Sequence, residues 1–172
     1  TRKIAEGMGM RDASLLPVGE PGRPLRQLVP DCRSMAGKKT LISSFGIDVK
    51  TDDRGNQVVL SYGQSKAISA KARHLKFGYI AAKNNALAEI RSFVGEVVVT
   101  KSNLESTENL KELADQSELY EGEQKIQDQI KSKSAKLKIQ GIRKLCDWAA
   151  RHPATKQVVA GTIMYFSSKS LK

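Results

Sequence analysis

Cys146 is the residue of this chain whose type best fits nucleophilic chemistry, with His152 or His74 as its base. Cys146 and His152 stand six positions apart in the stretch GIRKLCDWAARHPATKQVVAGTIMYFSS, which begins at Gly141. A thiol beside an imidazole becomes an activated nucleophile when a third group orients the base, and the sequence specifies no such group. A small apolar thiol in a core strand is the more common role. We therefore expect no enzymatic activity, with Trp148 and Cys146 near the core and His152-Pro153 shaping a turn.

Two other stretches are similar to ligand-binding motifs but lack a required residue at a required position. AGKKT, residues 36–40, would need a glycine at Cys32 and a serine or threonine at Lys39 to form a phosphate-binding loop. DVKTDDRGN, residues 48–56, lacks the closing glutamate of a calcium loop and is typical of an ordinary turn.

Cys32 and Cys146 have no Cys or His at metal-binding spacing. They can form one disulfide in an oxidising compartment or remain two buried thiols. We expect no cofactor and no metal.

The charge of the chain is high and unevenly distributed. The formal net charge is +11, which permits binding to nucleic acid, anionic lipid or an acidic partner. Residues 105–128 contain eight acids and two lysines, whereas residues 131–156 contain eight bases and one acid. Adjacent blocks of opposite sign are typical of contacts between subunits.

A basic nucleic-acid-binding module is the alternative function. Its backbone contacts would come from KARHLK and KSKSAKLK, and the bases concerned are Lys71, Arg73, Lys76, Lys131, Lys133, Lys136 and Lys138. The aromatic residues that stack bases in single-strand binders are not interleaved with these lysines. This function therefore ranks second.

Residues 1–37 differ in composition from the rest of the chain. They hold four of the five prolines and five glycines, which disfavours a long helix or a central strand. We expect an extended arm over 1–37 that lies against its own domain or a neighbouring subunit. A single α+β domain is expected over residues 38–172.

Hydrophobic periodicity predicts the elements of this domain. Residues 40–63 form a hairpin or two neighbouring strands, and apolar residues at helical spacing over 68–94 predict a long alanine-rich helix that Gly95 ends. The apolar stripe of this helix consists of Ile68, Ala72, Leu75, Tyr79, Ala82, Ala86, Ile90 and Phe93, and its opposite face carries Lys71, Lys83, Asn84 and Arg91. EVVVT, residues 96–100, reads as a strand, residues 103–132 as a polar helix, and residues 135–141 as a strand. The stretch that begins at Gly141 closes the domain as a hairpin, in which KLCDWAA is either strand or a helical turn. The expected fold is α+β: a mostly antiparallel sheet of four to five strands, the long helix and the polar helix packed on it, and the N-terminal arm.

The strand-helix-strand part of the chain resembles LPP20-like bacterial envelope domains. This resemblance covers residues 57–101, and residues 135–168 are similar to the closing hairpin of a related envelope domain family of unknown function. The matching positions are Ala70, Ala72, Arg73, Ala81, Ala82, Ala86, Ala88, Val94 and Gly95. It implies an exported, non-enzymatic protein of the bacterial envelope, since relatives serve in surface lipoproteins and in rings around flagellar or secretion machinery.

Together these features predict a structural subunit of a bacterial envelope-associated assembly of secretion or motility type. Its partners would be other protein subunits, including copies of itself, and it would lie in the periplasm or at the outer membrane. A cytoplasmic location would follow from the nucleic-acid function. No segment is apolar over the length that spans a bilayer. The predicted partner contacts are Arg23, Arg26, Glu112, Asp115, Glu118, Lys131, Lys133, Lys136 and Lys138.

Overall fold

A computed structural model describes residues 2–10, 18–111 and 139–171 of the chain. Within them lie three α-helices and four strands, together with short 3₁₀ helices at Leu25–Gln27 and Ser168–Leu171. In chain order the main elements are α1 (Arg2–Met10), α2 (Met35–Leu41), β1 (Gly46–Thr51), β2 (Gln57–Lys66), α3 (Ala72–Lys111), β3 (Ile142–Arg151) and β4 (Val158–Ser167). The α+β fold with its antiparallel sheet and long helix is confirmed.

The four strands form one antiparallel sheet in the order β1-β2-β4-β3. The first hairpin joins β1 to β2, as predicted within residues 40–63, although residues 35–41 form α2. The closing hairpin is also confirmed, with Trp148 opposite Gly161 across the β3–β4 pair. KLCDWAA is strand throughout, and a register shift between Lys144 and Cys146 leaves Leu145 unpaired. Because β2 and β4 are central, the two hairpins together make one continuous surface on each side of the sheet.

The turn between β1 and β2 is organised by Asp52. Its Oδ1 accepts hydrogen bonds from the backbone N–H groups of Arg54 (2.9 Å) and Asn56 (2.8 Å), and the Asn56 amide donates to Oδ2 over 2.9 Å. Partial burial opposes ionisation of Asp52, but these hydrogen bonds and the Arg54 charge outweigh it and lower the pKa of the carboxyl. Gly55 supplies the positive φ that the turn requires.

One face of the sheet packs against α3 and α1. Side chains alternate between the faces along each strand, so Val59 and Phe166 point toward α3 and are fully buried with Ala86, Ile90 and Val94. The helix backbone lies close to the sheet, since a Cβ at Gly63 would clash with the carbonyl oxygen of Ala82. Beside this contact, buried Ser61 donates a 2.9 Å hydrogen bond to the carbonyl of Ala86.

The long helix begins later and ends later than its sequence pattern predicts. It starts at Ala72, and Ile68 lies in the preceding loop. It runs through Gly95, which lacks the positive φ of a helix-ending glycine, so the predicted strand at EVVVT is wrong. The physical reason is tertiary: Ile4 and Met8 of α1 pack with Ile90 and Val94, which stabilises helix where local β propensity favours strand.

The second face of the sheet is covered by the N-terminal segment. Leu28, Cys32 and Leu41 are buried there in one cluster with Leu60 and Trp148. Residues 19–22 run along the first turn, where the N–H of Gly19 bonds to Gly55 O and that of Gly22 to Asp52 O. Residues 18–41 thus lie against their own domain and contain α2 in addition to extended chain, whereas α1 packs on the other face of the sheet.

The remaining predicted elements reach into undescribed residues. Residues 103–111 of the predicted polar helix continue α3, and residues 112–132 lie outside the described part of the chain. Residues 135–138 of the predicted strand also lie outside it. Ile139 and Gln140 are not in a strand, and β3 begins at Ile142 after Gly141, whose φ is +81°.

Candidate interaction surfaces

The predicted partner contacts divide into two sets. Arg23 and Arg26 are exposed, on either side of Pro24 in the N-terminal segment. The others lie outside the described residues, and they are Glu112, Asp115, Glu118, Lys131, Lys133, Lys136 and Lys138. The structure therefore places Arg23 and Arg26 only, and the contact role of all nine residues stays a prediction.

Cys146 is bonded to Cys32, and the Cα atoms of the two residues lie 6.5 Å apart. This separation is within the range that disulfides span. The bond joins the N-terminal segment to strand β3 and leaves neither cysteine free. A disulfide sulfur is not the thiolate that nucleophilic catalysis requires, so Cys146 in this state has no nucleophile to offer His152.

His152 and His74 both have local structural partners. Nδ1 of His152 accepts the backbone N–H groups of Ala154 (3.2 Å) and Thr155 (3.3 Å), which shapes the β3–β4 turn as predicted. Nδ1 of His74 lies 2.7 Å from the hydroxyl of Ser69 at the beginning of α3. Each ring therefore stabilises the end of an element.

The outer face of α3 combines cations with exposed apolar side chains. Phe77 is 61% exposed and Ile80 is 51% exposed, so both present apolar surface to solvent. Arg73, Lys76 and Lys83 are exposed at positions three or four residues from them, so all five share one side of the helix. We call these five residues the basic apolar face. Residues 54–88 contain six Lys or Arg and no Asp or Glu, so the sequence neighbours of this face carry no negative charge.

A cavity of about 340 Å³ lies beside this face, between α3 and β3. Lys76 and Lys83 line it together with Lys144, Tyr79 and Asp147. Asp147 is already engaged, because Lys144 donates to its Oδ2 over 2.7 Å and the buried hydroxyl of Thr162 donates to its Oδ1 over 2.7 Å. Burial raises the pKa of the Tyr79 hydroxyl, and the Asp147 charge adds to the effect. Around this cavity the positive charge exceeds the negative.

The described residues hold no group of three or more His, Cys, Asp or Glu side chains that could bind a metal ion. No helix among the same residues is long and apolar enough to cross a membrane.

Sequence reasoning found part of the basic apolar face and missed the rest. It identified Arg73 and Lys76 as basic surface residues and placed Lys83 on the polar side of the helix. It did not single out Phe77 and Ile80, whose exposure depends on how α3 rests on the sheet. The acid-free stretch over 54–88 was the available signal.

No family model matches the chain, and no curated protein matches it. A solved structure of a hypothetical protein from Francisella tularensis has a similar fold, with a TM-score of 0.60 and 21% sequence identity. The alignment covers 84% of this chain and 42% of that one, so this chain spans less than half of the length of the protein it resembles. The resemblance to LPP20-like domains stays a prediction. What the comparisons establish is that this α+β arrangement recurs as part of a longer bacterial protein.

Proposed function

We propose that this chain is a non-enzymatic structural subunit of a bacterial envelope-associated assembly of secretion or motility type. In this proposal it associates with a second copy of itself through the basic apolar face. The observation that carries the proposal is the exposure of Phe77 and Ile80 between cations on α3, the helix whose other side is buried at Ala86 and its neighbours one turn away. Aromatic and aliphatic anchors surrounded by charge are typical of protein contact surfaces.

The partner is expected to present acidic groups. Arg73, Lys76 and Lys83 have no ion pair with an acid among the described residues, so their charges are available to a partner. The chain carries a matching sequence in residues 105–128, where eight of the residues are acidic. Charge complementarity steers association and selects the partner more than it adds affinity. A second copy of the chain therefore supplies an acidic block of the required sign.

The disulfide supports an exported location. Disulfides form and persist mainly in oxidising compartments such as the bacterial periplasm, and they are uncommon in the cytosol of mesophiles. Cys32 and Cys146 are bonded, and Cys32 is buried against the sheet. A periplasmic or outer-membrane-associated location therefore fits the chemistry of this pair.

A charge-swap experiment tests the self-association. The mass of the purified chain is measured by sedimentation equilibrium at about 50 mM and about 500 mM salt, where screening differs strongly. We expect an oligomer at low salt that dissociates at high salt, and a monomer for Lys76→Glu/Lys83→Glu. Mixing this variant with Glu112→Lys/Asp115→Lys should restore association, because the charges are exchanged. Arg54→Glu/Lys169→Glu removes the same charge elsewhere and should behave like the wild type.

Three outcomes would contradict the proposal. A monomer under all conditions would exclude self-association. Loss of association in the Arg54→Glu/Lys169→Glu control would mean that association depends on net charge and not on the basic apolar face. Failure of the mixed charge-swapped variants to associate would remove the acidic block as the partner. The nucleic-acid alternative is tested on the same face: tight binding of a short oligonucleotide at low salt, with a steep salt slope that the Lys76/Lys83 variant lowers, would favour it.

A further inference from the structure

A groove of about 580 Å³ lies between α2 and the end of β3, on the side of the sheet opposite α3. Its volume is within the range of small-molecule sites in proteins. Most of the lining is apolar, and exposed Met35 stands at its edge. The apolar lining residues are Met35, Ala36, Ile42, Ala149, Ala150 and Pro153.

The wall that α2 forms is held at both ends. Before the helix, the Cys32–Cys146 disulfide fastens the chain to β3, and Ser34 caps the helix by accepting the N–H of Gly37 over 2.9 Å. After the helix, the Gln64 amide donates to the carbonyls of Leu41 (2.9 Å), Ile42 (3.2 Å) and Ser44 (3.0 Å). Because covalent and hydrogen bonds hold both ends, the groove exists before any ligand arrives.

The charges around the groove have one sign. Lys38, Lys39 and Arg151 are the charged residues of its lining, and no acid accompanies them. Within the described part of the chain, no ion pair connects these three residues to a carboxylate. The cavity beside α3 differs, because Asp147 offsets its lysines. A further cavity near the disulfide contains Asp31.

We infer that this groove binds an anionic amphiphile, a molecule with one apolar chain and a carboxylate or phosphate head group. The apolar chain lies along Ala150 of β3 and Ile42, which removes apolar surface from water. The head group pairs with Lys38, Lys39 and Arg151 at the rim. A small polar anion would leave the apolar lining exposed to water, and an uncharged hydrocarbon would leave the three cations without an opposite charge, since among the described residues the Arg151 guanidinium bonds only to the backbone carbonyl of Lys156 (3.4 Å). An amphiphile is the class of ligand that satisfies both halves of the site.

Calorimetric titration with defined probes tests this inference on the full, oxidised chain. Dodecanoate and dodecyl phosphate, kept below micelle-forming concentrations, are compared with dodecanol, which has the same chain without charge, and with inorganic phosphate. We expect both anionic amphiphiles to bind, dodecanol to bind about tenfold more weakly, and inorganic phosphate to give no measurable heat. A preference of one anionic probe over the other identifies the head group. Equal affinity for dodecanol would overturn the role of the cations.

Variants locate the binding site. Ala36 is exposed, so Ala36→Trp fills the groove without disturbing the core, and it should abolish binding. Lys38→Gln/Lys39→Gln should weaken the anionic probes and leave dodecanol unchanged. Lys76→Glu/Lys83→Glu alters α3 alone and should bind like the wild type, so this test is independent of the self-association test. Unchanged binding by Ala36→Trp, or loss of binding in the α3 variant, would place the amphiphile elsewhere and overturn the inference.

Discussion

Cys32 and Cys146 are joined by a disulfide that spans 114 residues of sequence and fastens the N-terminal segment to strand β3. The bond lies beside Trp148, which is buried in the same cluster as Cys32. It therefore unites a segment of unusual composition with the sheet that it covers. It also sets the position of α2, which begins three residues after Cys32.

Removing this bond should destabilise the fold. For a closed loop of this length the chain-entropy relation gives a stabilisation of about 4 to 5 kcal/mol, and native disulfides typically contribute about 2 to 5 kcal/mol. We expect Cys32→Ser/Cys146→Ser to lower the free energy of unfolding by an amount in this range, measured by urea denaturation. A reducing agent should lower the stability of the wild type and leave that of the double variant unchanged. Equal stability of the oxidised and reduced wild type would contradict this expectation.

A methyl group at Gly63 should separate α3 from the sheet. The Cβ of Gly63→Ala would meet the carbonyl oxygen of Ala82 in the helix backbone, which cannot rotate away. We expect a loss of about 3 kcal/mol in the free energy of unfolding, at the upper end of overpacking effects. Gly46→Ala is the control, because nothing lies near its Cβ and its φ of +76° should cost about 1 kcal/mol. An equal loss in the free energy of unfolding for Gly63→Ala and Gly46→Ala would contradict this expectation, because it would mean that α3 moves away from the sheet at little cost.

Asp52 should make the protein less stable in acid. Its pKa is lower in the folded chain than its ordinary value of 3.8, so its carboxylate stabilises the fold above that value. This stabilisation is lost as the pH falls below 3.8 through the lowered folded pKa. We expect Asp52→Asn to show a smaller loss of stability than the wild type across this window, measured by denaturation at a series of pH values. Asp53→Asn removes the same charge from the same turn and is the matched control. A pH dependence of Asp52→Asn identical to that of the wild type would contradict the assignment.

Gln64 should hold the end of α2 in place. The two N–H groups of its amide are shared among three backbone carbonyls, and Gln64→Leu would leave these carbonyls without that donor in a partly buried position. We expect a loss of about 1 to 3 kcal/mol and faster amide hydrogen exchange in α2. Gln157→Leu removes a single hydrogen bond, to the carbonyl of Ala67, and should leave exchange in α2 unchanged. The hypothesis fails if α2 exchanges equally in both variants.

Local patterns were sufficient for the hairpins and for the packed side of the long helix. In β2 the alternate side chains of Val58 and Val59 pack in different clusters, as the two-residue period of a strand requires. In α3 the predicted stripe of Ala82, Ala86 and Ile90 is buried. The turn before β2 also followed from its residues, because Asp52 and Gly55 supply the hydrogen bonds and the dihedral angle that it needs.

Local patterns were misleading where a distant segment decides the structure. The run after Gly95 has strand propensity, yet it continues the helix, because α1 packs against the preceding turns. Composition alone described residues 1–37 as an arm and did not indicate that Leu28 and Cys32 are buried under the sheet. The candidate groove could not be predicted from local patterns either, because its lining comes from residues more than a hundred positions apart.

The sequence by itself determined the fold class, the antiparallel hairpins and the basic character of α3, because these depend on periodicity and charge within short segments. The tertiary structure decided the pairing of Cys32 with Cys146, the length of α3 and the exposure of Phe77 and Ile80. Each of these depends on which surfaces meet in space. The free energy of burying a side chain is set by its neighbours in the fold, and no window of the sequence contains those neighbours.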